Sequence, residues 1–198
     1  MASATKTTWI RPEEYLERER AAEFKSEYRD GRIFAMSGAS RPHNLLSTNL
    51  VRLLGNQLDR RRCEIYGADM RVRVQRTGSY LYPDIVIACG GPRFEDGVFD
   101  TLLNPTVIVE VLSPSTESHD RGLKFADYRE IDSLTDYLLI AQGEILVERY
   151  SRREEGWAIT FLRRADEILR LESIGCEVAL RDIYDLVPMP EGGPNPPA

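Results

Sequence analysis

The 198 residues are 42% hydrophobic and 29% charged, with a net charge of −6; such a chain can bury a sizeable core and is no unstructured polyelectrolyte. No apolar run is long enough to cross a bilayer and no basic-then-apolar leader opens the sequence, so a cytoplasmic protein with no membrane partner is expected. The acidic balance argues against binding nucleic acid through bulk charge and leaves room for a local basic face. Cys63, Cys89 and Cys176 are odd in number and far apart. They suggest neither a metal site nor a disulfide framework, in keeping with a reducing compartment. Lysine occurs only at Lys6, Lys25 and Lys124, and arginine supplies the other 23 of 26 basic residues.

The length suits one domain, expected over 9–187, between a frayed tail at 1–8 and a Pro/Gly-rich disordered tail at 188–198. Pro12 suits a first helical turn, and Glu13 to Phe24 is rich in helix formers. Asp30-Gly31 signals a tight turn before a strand at Ile33 to Met36, and Glu27 stands just ahead of it, where a solvated acid is the bland expectation. His43 to Arg62 carries Leu46, Leu50, Leu53, Leu54 and Leu58 at helical spacing, with His43 a cap or packing residue at its start. The Arg60-Arg61-Arg62 ending complements the helix dipole, with a phosphate contact as the alternative. Met70 to Val74 alternates as a strand with one wet, basic face, and Tyr80 to Cys89 reads as the next strand, with Pro83 at an edge or bulge. Residues 90–104 read as a surface connection. Val107 to Leu112 is the apolar run of a strand buried on both faces, stopped by Ser113-Pro114-Ser115. Asp120 reads as the N-cap of a helix running to about Ile131, with Lys124, Tyr128 and Ile131 on one face. Tyr137 to Ala141, Ile145 to Tyr150 and Trp157 to Leu162 follow as an antiparallel meander, then a short strand at Ile168 to Leu171 and a helical turn at Leu180 to Leu186.

Two acids stand inside apolar strands, Asp84 in Tyr82 to Ile87 and Glu110 in Val107 to Leu112. A buried carboxylate is costly unless paired. Neighbouring strands lie about 4.8 Å apart, so on adjacent strands the two acids can share a divalent cation beneath Lys124. Hard oxygen ligands suit Mg²⁺ or Mn²⁺. Such an ion acidifies bound water and neutralises charge on a phosphoryl oxygen, with Lys124 as base or as cation. The alternatives are a strand-end acid satisfied by backbone donors at Asp84 and an arginine-paired acid at Glu110. No glycine-rich loop suggests an organic cofactor, and Ser113, Ser115 and Ser118 with His119 lack a separated triad partner.

Tyr82-Pro83-Asp84, Val109 to Thr116, and Asp120 to Lys124 with Tyr128 together resemble the bacterial restriction-endonuclease-like family labelled Uma, of the PD-(D/E)XK nuclease superfamily. Glu27 with Asp30-Gly31, and His43, resemble its N-terminal pattern. The resemblance spans about Tyr15 to Tyr150. It implies an α/β fold with an αβββαβ core and a mixed central sheet flanked by helices, to which the meander is appended. It also implies metal at Asp84 and Glu110 with the Val111 carbonyl as a further ligand, Glu27 as an added ligand or water-positioning acid, and hydrolysis of DNA. The superfamily's usual lysine falls at Leu112, so the basic role would pass to Lys124. DNA would then follow Arg71 and Arg73 with His43, and secondarily the arginines of 149–164, and a homodimer would supply two sites for duplex cutting. Rival expectations are a degenerate nuclease fold that only binds nucleic acid or protein, and a metal-dependent phosphoesterase for small substrates.

Overall fold

A computed structural model describes residues 9–36, 38–58, 63–114 and 116–189. The Arg60-Arg61-Arg62 cluster, Ser115 and both expected tails, apart from 188 and 189, lie outside the described residues. Among the described residues no helix is long and apolar enough to cross a membrane.

The chain opens with α1 (Pro12–Ala21), which Pro12 starts, and a hairpin of β1 (Ser26–Arg29) and β2 (Arg32–Ala35). Asp30 and Gly31 turn this hairpin at φ 48° and 72°, the left-handed pair that matches strand twist in a two-residue loop. Gly31 is doubly required, because a Cβ there would lie 2.3 Å from the Trp9 ring. Next come α2 (Arg41–Leu58), β3 (Cys63–Tyr66), β4 (Arg71–Val74), β5 (Ser79–Leu81), β6 (Ile85–Cys89), β7 (Thr101–Leu102) and β8 (Val107–Val111). A single helical segment follows: α3 (Glu117–His119), a π-helical turn (Asp120–Lys124) and α4 (Phe125–Tyr128). The chain then runs through β9 (Asp136–Ile140), β10 (Val147–Arg153), β11 (Gly156–Leu162), β12 (Ile168–Leu171), β13 (Cys176–Ala179) and α5 (Leu180–Ile183).

Three sheets result, ordered β11-β10-β9-β8-β6-β3, β2-β1-β5-β4-β7 and β12-β13. Within the first, β3, β6 and β8 pair antiparallel, and β9 lies parallel to β8 after the helical crossover. The run α2-β3-β6-β8-helix-β9 is therefore an αβββαβ core with a mixed sheet. β10 and β11 extend it as the antiparallel meander.

Both faces of the six-stranded sheet are covered, as the continuous apolar runs require. On one, Leu46, Leu50, Leu54 and Leu58 of α2 pack on Ile85, Ile87, Val107, Val109, Val111, Leu138 and Ile140, with β12, β13 and α5 closing the layer. On the other, Ile108, Leu112 and Leu139 meet Tyr128, Tyr137 and the five-stranded sheet. Strand period two thus sends Val109 and Val111 to α2 and Glu110 to the crossover helix.

Several expectations are corrected. Tyr80 to Cys89 is two strands in two sheets: Pro83, which has no ladder donor, lies in the break between β5 and β6. Asp84 lies in that break, not inside a strand. The stretch 90–104 is more than a connection, since β7 runs parallel to β4 with Thr101 and Leu102 buried. β13, unread in the sequence, pairs with β12. Asp120 is not an N-cap: the helical segment starts three residues earlier, at Glu117.

The expectation of no disulfide also falls. Cys63 and Cys89 stand opposite each other in the β3–β6 register and are bonded, at a sequence separation of 26. Cys176 lies buried on β13. An odd count cannot reveal which two cysteines a strand register will juxtapose. A loop of this length contributes about 3 kcal/mol in the chain-entropy account. The Cys63→Ser, Cys89→Ser double variant is therefore expected to lose about that much stability in urea unfolding, and dithiothreitol should bring the wild type to the same midpoint while leaving the variant unmoved.

Candidate active site

One step beyond the Ile85–Val109 pairing, the register sets Asp84 opposite Glu110. Asp84 Oδ2 accepts the Val111 N–H at 2.7 Å and lies 3.1 Å from His43 Nε2, near the start of α2. The acid therefore closes the end of the β8 ladder and meets the α2 histidine at once. Glu110 is buried in mid-strand, and its Oε1 accepts from Lys124 Nζ and from the Tyr128 hydroxyl, each at 3.1 Å. Glu27 projects from β1 of the other sheet. Its Oε1 accepts the Tyr82 N–H at 3.0 Å and lies 3.0 Å from Lys124 Nζ. His119 Nε2 stands 3.9 Å from the second Glu27 oxygen. Glu27 is buried, so the reading of a solvated acid near a turn is corrected: the hairpin carries it into the seam between the sheets.

Lys124 is the hub. Its side chain is 7% exposed and its ammonium contacts Glu27, Glu110 and, at 3.5 Å, Asp120. Burial works to lower its pKa, but the attraction of Glu110, Glu27 and Asp120 outweighs that, and the ammonium stays charged well above the ordinary lysine range. Burial pushes the Glu110 carboxyl well above the usual carboxylate range. Lys124 opposes the shift, while Asp84, Asp120 and Glu27 add to it. Asp120 is raised as well, again chiefly by burial. Three carboxylates thus crowd one lysine, with Asp84 close by against His43, an excess of negative charge that protons or a cation must offset.

The donor set fits a hard divalent ion. Among the described residues, no hydrogen bond reaches Asp84 Oδ1 or Glu110 Oε2, which leaves one oxygen on each acid for a ligand. No three His, Cys, Asp or Glu side chains among the described residues form a ready-made cation site. Mg²⁺, which keeps several waters and uses one or two carboxylates, is the ion such a set suits.

The structure therefore brings together Asp84, Glu110, Lys124, Glu27 and His43, with Val111 bonded through its N–H to Asp84. Sequence reasoning misses Asp120 as a member of the cluster, although its spacing of four from Lys124 on a helix is a usable signal. It also misses His119, which the sequence offers only as a neighbour of the serines. Arg71 and Arg73 do not join the site, and the expectation that they stand on a wet face of β4 is corrected. Arg71 is buried, bonded to Tyr82 and Thr101 and paired with Asp100; Arg73 is paired with Glu95. The face of β4 that alternation presents as wet is covered by α1 and the 90–104 segment, and its guanidiniums are taken. Leu112 is buried on the Glu110 side of the sheet, where a strand-borne lysine would otherwise stand.

An αβββαβ core with two acids facing each other across paired central strands is a restriction-endonuclease-like fold. The chain belongs to the family described as "Uma2: Putative restriction endonuclease", whose profile matches residues 12–181. Similar proteins include "Uncharacterized protein slr1290" of Synechocystis sp. (strain ATCC 27184 / PCC 6803 / Kazusa), 38% identical over 175 residues that cover 88% of this chain and 91% of that one. Another from the same organism, "Uncharacterized protein sll1609", is 41% identical over 150 residues, 75% of this chain and 85% of that one. Among solved structures, the crystal structure of "a putative nuclease belonging to DUF820" from Anabaena variabilis ATCC 29413 shares the fold, with a TM-score of 0.74 at 17% identity, covering 90% of this chain and 99% of that one.

Proposed function

We propose that the protein is a metal-dependent endonuclease that hydrolyses DNA phosphodiester bonds. The observation that carries this reading is the placement of Asp84 opposite Glu110 across the strand register, each with one oxygen free of hydrogen bonds among the described residues, with the Lys124 ammonium on Glu110. Asp84 and Glu110 would hold Mg²⁺ or Mn²⁺, with the Val111 carbonyl as a further ligand. When bound, such an ion makes water a better nucleophile and neutralises charge on the phosphoryl oxygen. Lys124, held charged by its acids, serves as a cation that stabilises the charge developing on phosphate and not as a base. Glu27 holds that ammonium in place from the neighbouring sheet, and His43 fixes the Asp84 carboxylate. With Arg71 and Arg73 engaged elsewhere, phosphate contacts fall to Arg32 on β2 and Arg41 at the start of α2, which are exposed and form no ion pair among the described residues. Cutting both strands requires two sites, and we assign a homodimer on that ground.

Leu112 at the usual lysine position favours a second reading, a catalytically silent relative that binds DNA without cutting it. Supercoiled plasmid incubated with Mg²⁺, Mn²⁺ or EDTA decides between the two. The wild type should nick or linearise plasmid only with metal, and Asp84→Ala should fall at least a hundredfold, a loss of about 3 kcal/mol. Retention of DNA on filters without cleavage would establish the second reading, and equal cutting by wild type and variant would remove the site from the reaction.

A further inference from the structure

We infer that Asp120 is a positioning residue of this site: it is the acceptor to which the Lys124 ammonium moves when Glu110 takes up a divalent ion. The inference rests on the nuclease reading above and extends it to a residue that reading leaves idle.

The geometry is asymmetric. An ammonium has three donors. Two of the Lys124 contacts are tight, to Glu27 Oε1 at 3.0 Å and Glu110 Oε1 at 3.1 Å, and the third, to Asp120 Oδ1, is loose at 3.5 Å. Asp120 Oδ1 is buried and receives no hydrogen bond from any described residue. A buried acceptor without a donor costs on the order of 1–3 kcal/mol, so this oxygen is poised to gain from any closer approach of the ammonium. The turn that carries it is held independently of its carboxylate, since the Tyr137 hydroxyl donates to the Asp120 carbonyl at 3.0 Å. Asp120 and Lys124 also bound the π-helical turn, a rare distortion frequently found at functional sites.

A divalent ion on Glu110 changes the balance. It repels the ammonium bonded to the same carboxylate, and Lys124 must loosen that contact or exclude the ion. Asp120 lies within reach on the same helical segment and offers an unfilled oxygen. Moving toward it keeps the ammonium paired with Glu27 and frees Glu110 for the metal. Without the Asp120 charge, Lys124 stays on Glu110 and competes with the ion.

Mn²⁺ titration calorimetry without DNA, combined with steady-state plasmid cleavage, tests this on the wild type, Asp120→Asn and Asp120→Glu. Asp120→Asn, close to isosteric, is expected to bind Mn²⁺ about tenfold more weakly, with kcat reduced by at least as much and KM for DNA unchanged. Asp120→Glu should recover most of both, since it restores an anion on the same face. Wild-type binding and cleavage matched by Asp120→Asn would overturn the inference while leaving the nuclease reading intact. So would equal loss in the Asn and Glu variants, because a purely structural role does not distinguish charge from shape. Absence of Mn²⁺ binding and cleavage in the wild type would instead remove the nuclease reading itself, and this inference with it.

Discussion

Glu110→Gln is expected to make the protein more stable and its metal-dependent cleavage at least a thousandfold slower. The stability gain comes from removing a charge the interior penalises. Glutamine keeps the shape and can still accept from Tyr128 and Lys124, while Glu27 and Asp120 continue to neutralise the ammonium. Replacing a buried charge by a neutral group of similar volume is often neutral or stabilising, here by on the order of 1 kcal/mol. The pH dependence identifies the cause. The folded-state pKa of Glu110 lies well above the ordinary 4.5, so the folded wild type binds a proton more tightly than the unfolded chain does. Its contribution is fully present below the unfolded value and is lost as pH rises toward the raised folded value. Wild type and variant should therefore melt together near pH 4 and separate in the variant's favour by pH 8, in urea titrations without divalent metal. The loss of cleavage has a different origin. Glutamine supplies a far weaker ligand to a hard cation, and losing the several kcal/mol such an ion contributes amounts to about a thousandfold. A variant that is less stable at pH 8, or that cuts normally, contradicts the account of Glu110.

Lys124→Met is the opposite case and the larger structural loss. It leaves Glu27, Glu110 and Asp120 facing one another with no ammonium, and breaking a buried ionic group by removing one partner costs about 3–5 kcal/mol. The Lys124 pKa is raised in the folded state, so its stabilisation is fully present below the unfolded value of 10.5 and fades only above that. The deficit should therefore be full across neutral pH. It should shrink toward pH 5 as the uncompensated acids, Glu110 and Asp120 already raised by burial, take up protons. Chemical denaturation at pH 5 and pH 8 reads this directly. A deficit that grows on acidification would mean that the lysine is not what holds the acids together.

Much of this site is legible in the order of the residues. Val107 to Leu112 is too apolar to be half-exposed, and an acid at its centre demands a partner; the spacing of Lys124 and Tyr128 on a helix supplies two. The α2 leucine stripe and the Asp30-Gly31 turn are equally plain, because local periodicity and backbone sign are written in adjacent residues. What is not legible depends on contacts between distant segments. Nothing near Arg71 announces that Asp100, Thr101 and Tyr82 will enclose it, so alternation alone assigns it to solvent. Glu27 beside a turn looks wet because the layer above it belongs to another sheet. Asp120 reads as a cap because a π-turn leaves no periodic signature in five residues, and the cysteine pair depends on a register that no local pattern fixes.

The break at Pro83 makes the cluster a rivet. Glu27 belongs to the five-stranded sheet, Glu110 to the six-stranded one and Asp84 to the break that leads into it, and the ammonium of Lys124 pins Glu27 to Glu110. Sliding the two layers past each other shears that pin before it disturbs either apolar face, so the cohesion of the layers and the alignment of the chemistry are a single mechanical property of the molecule.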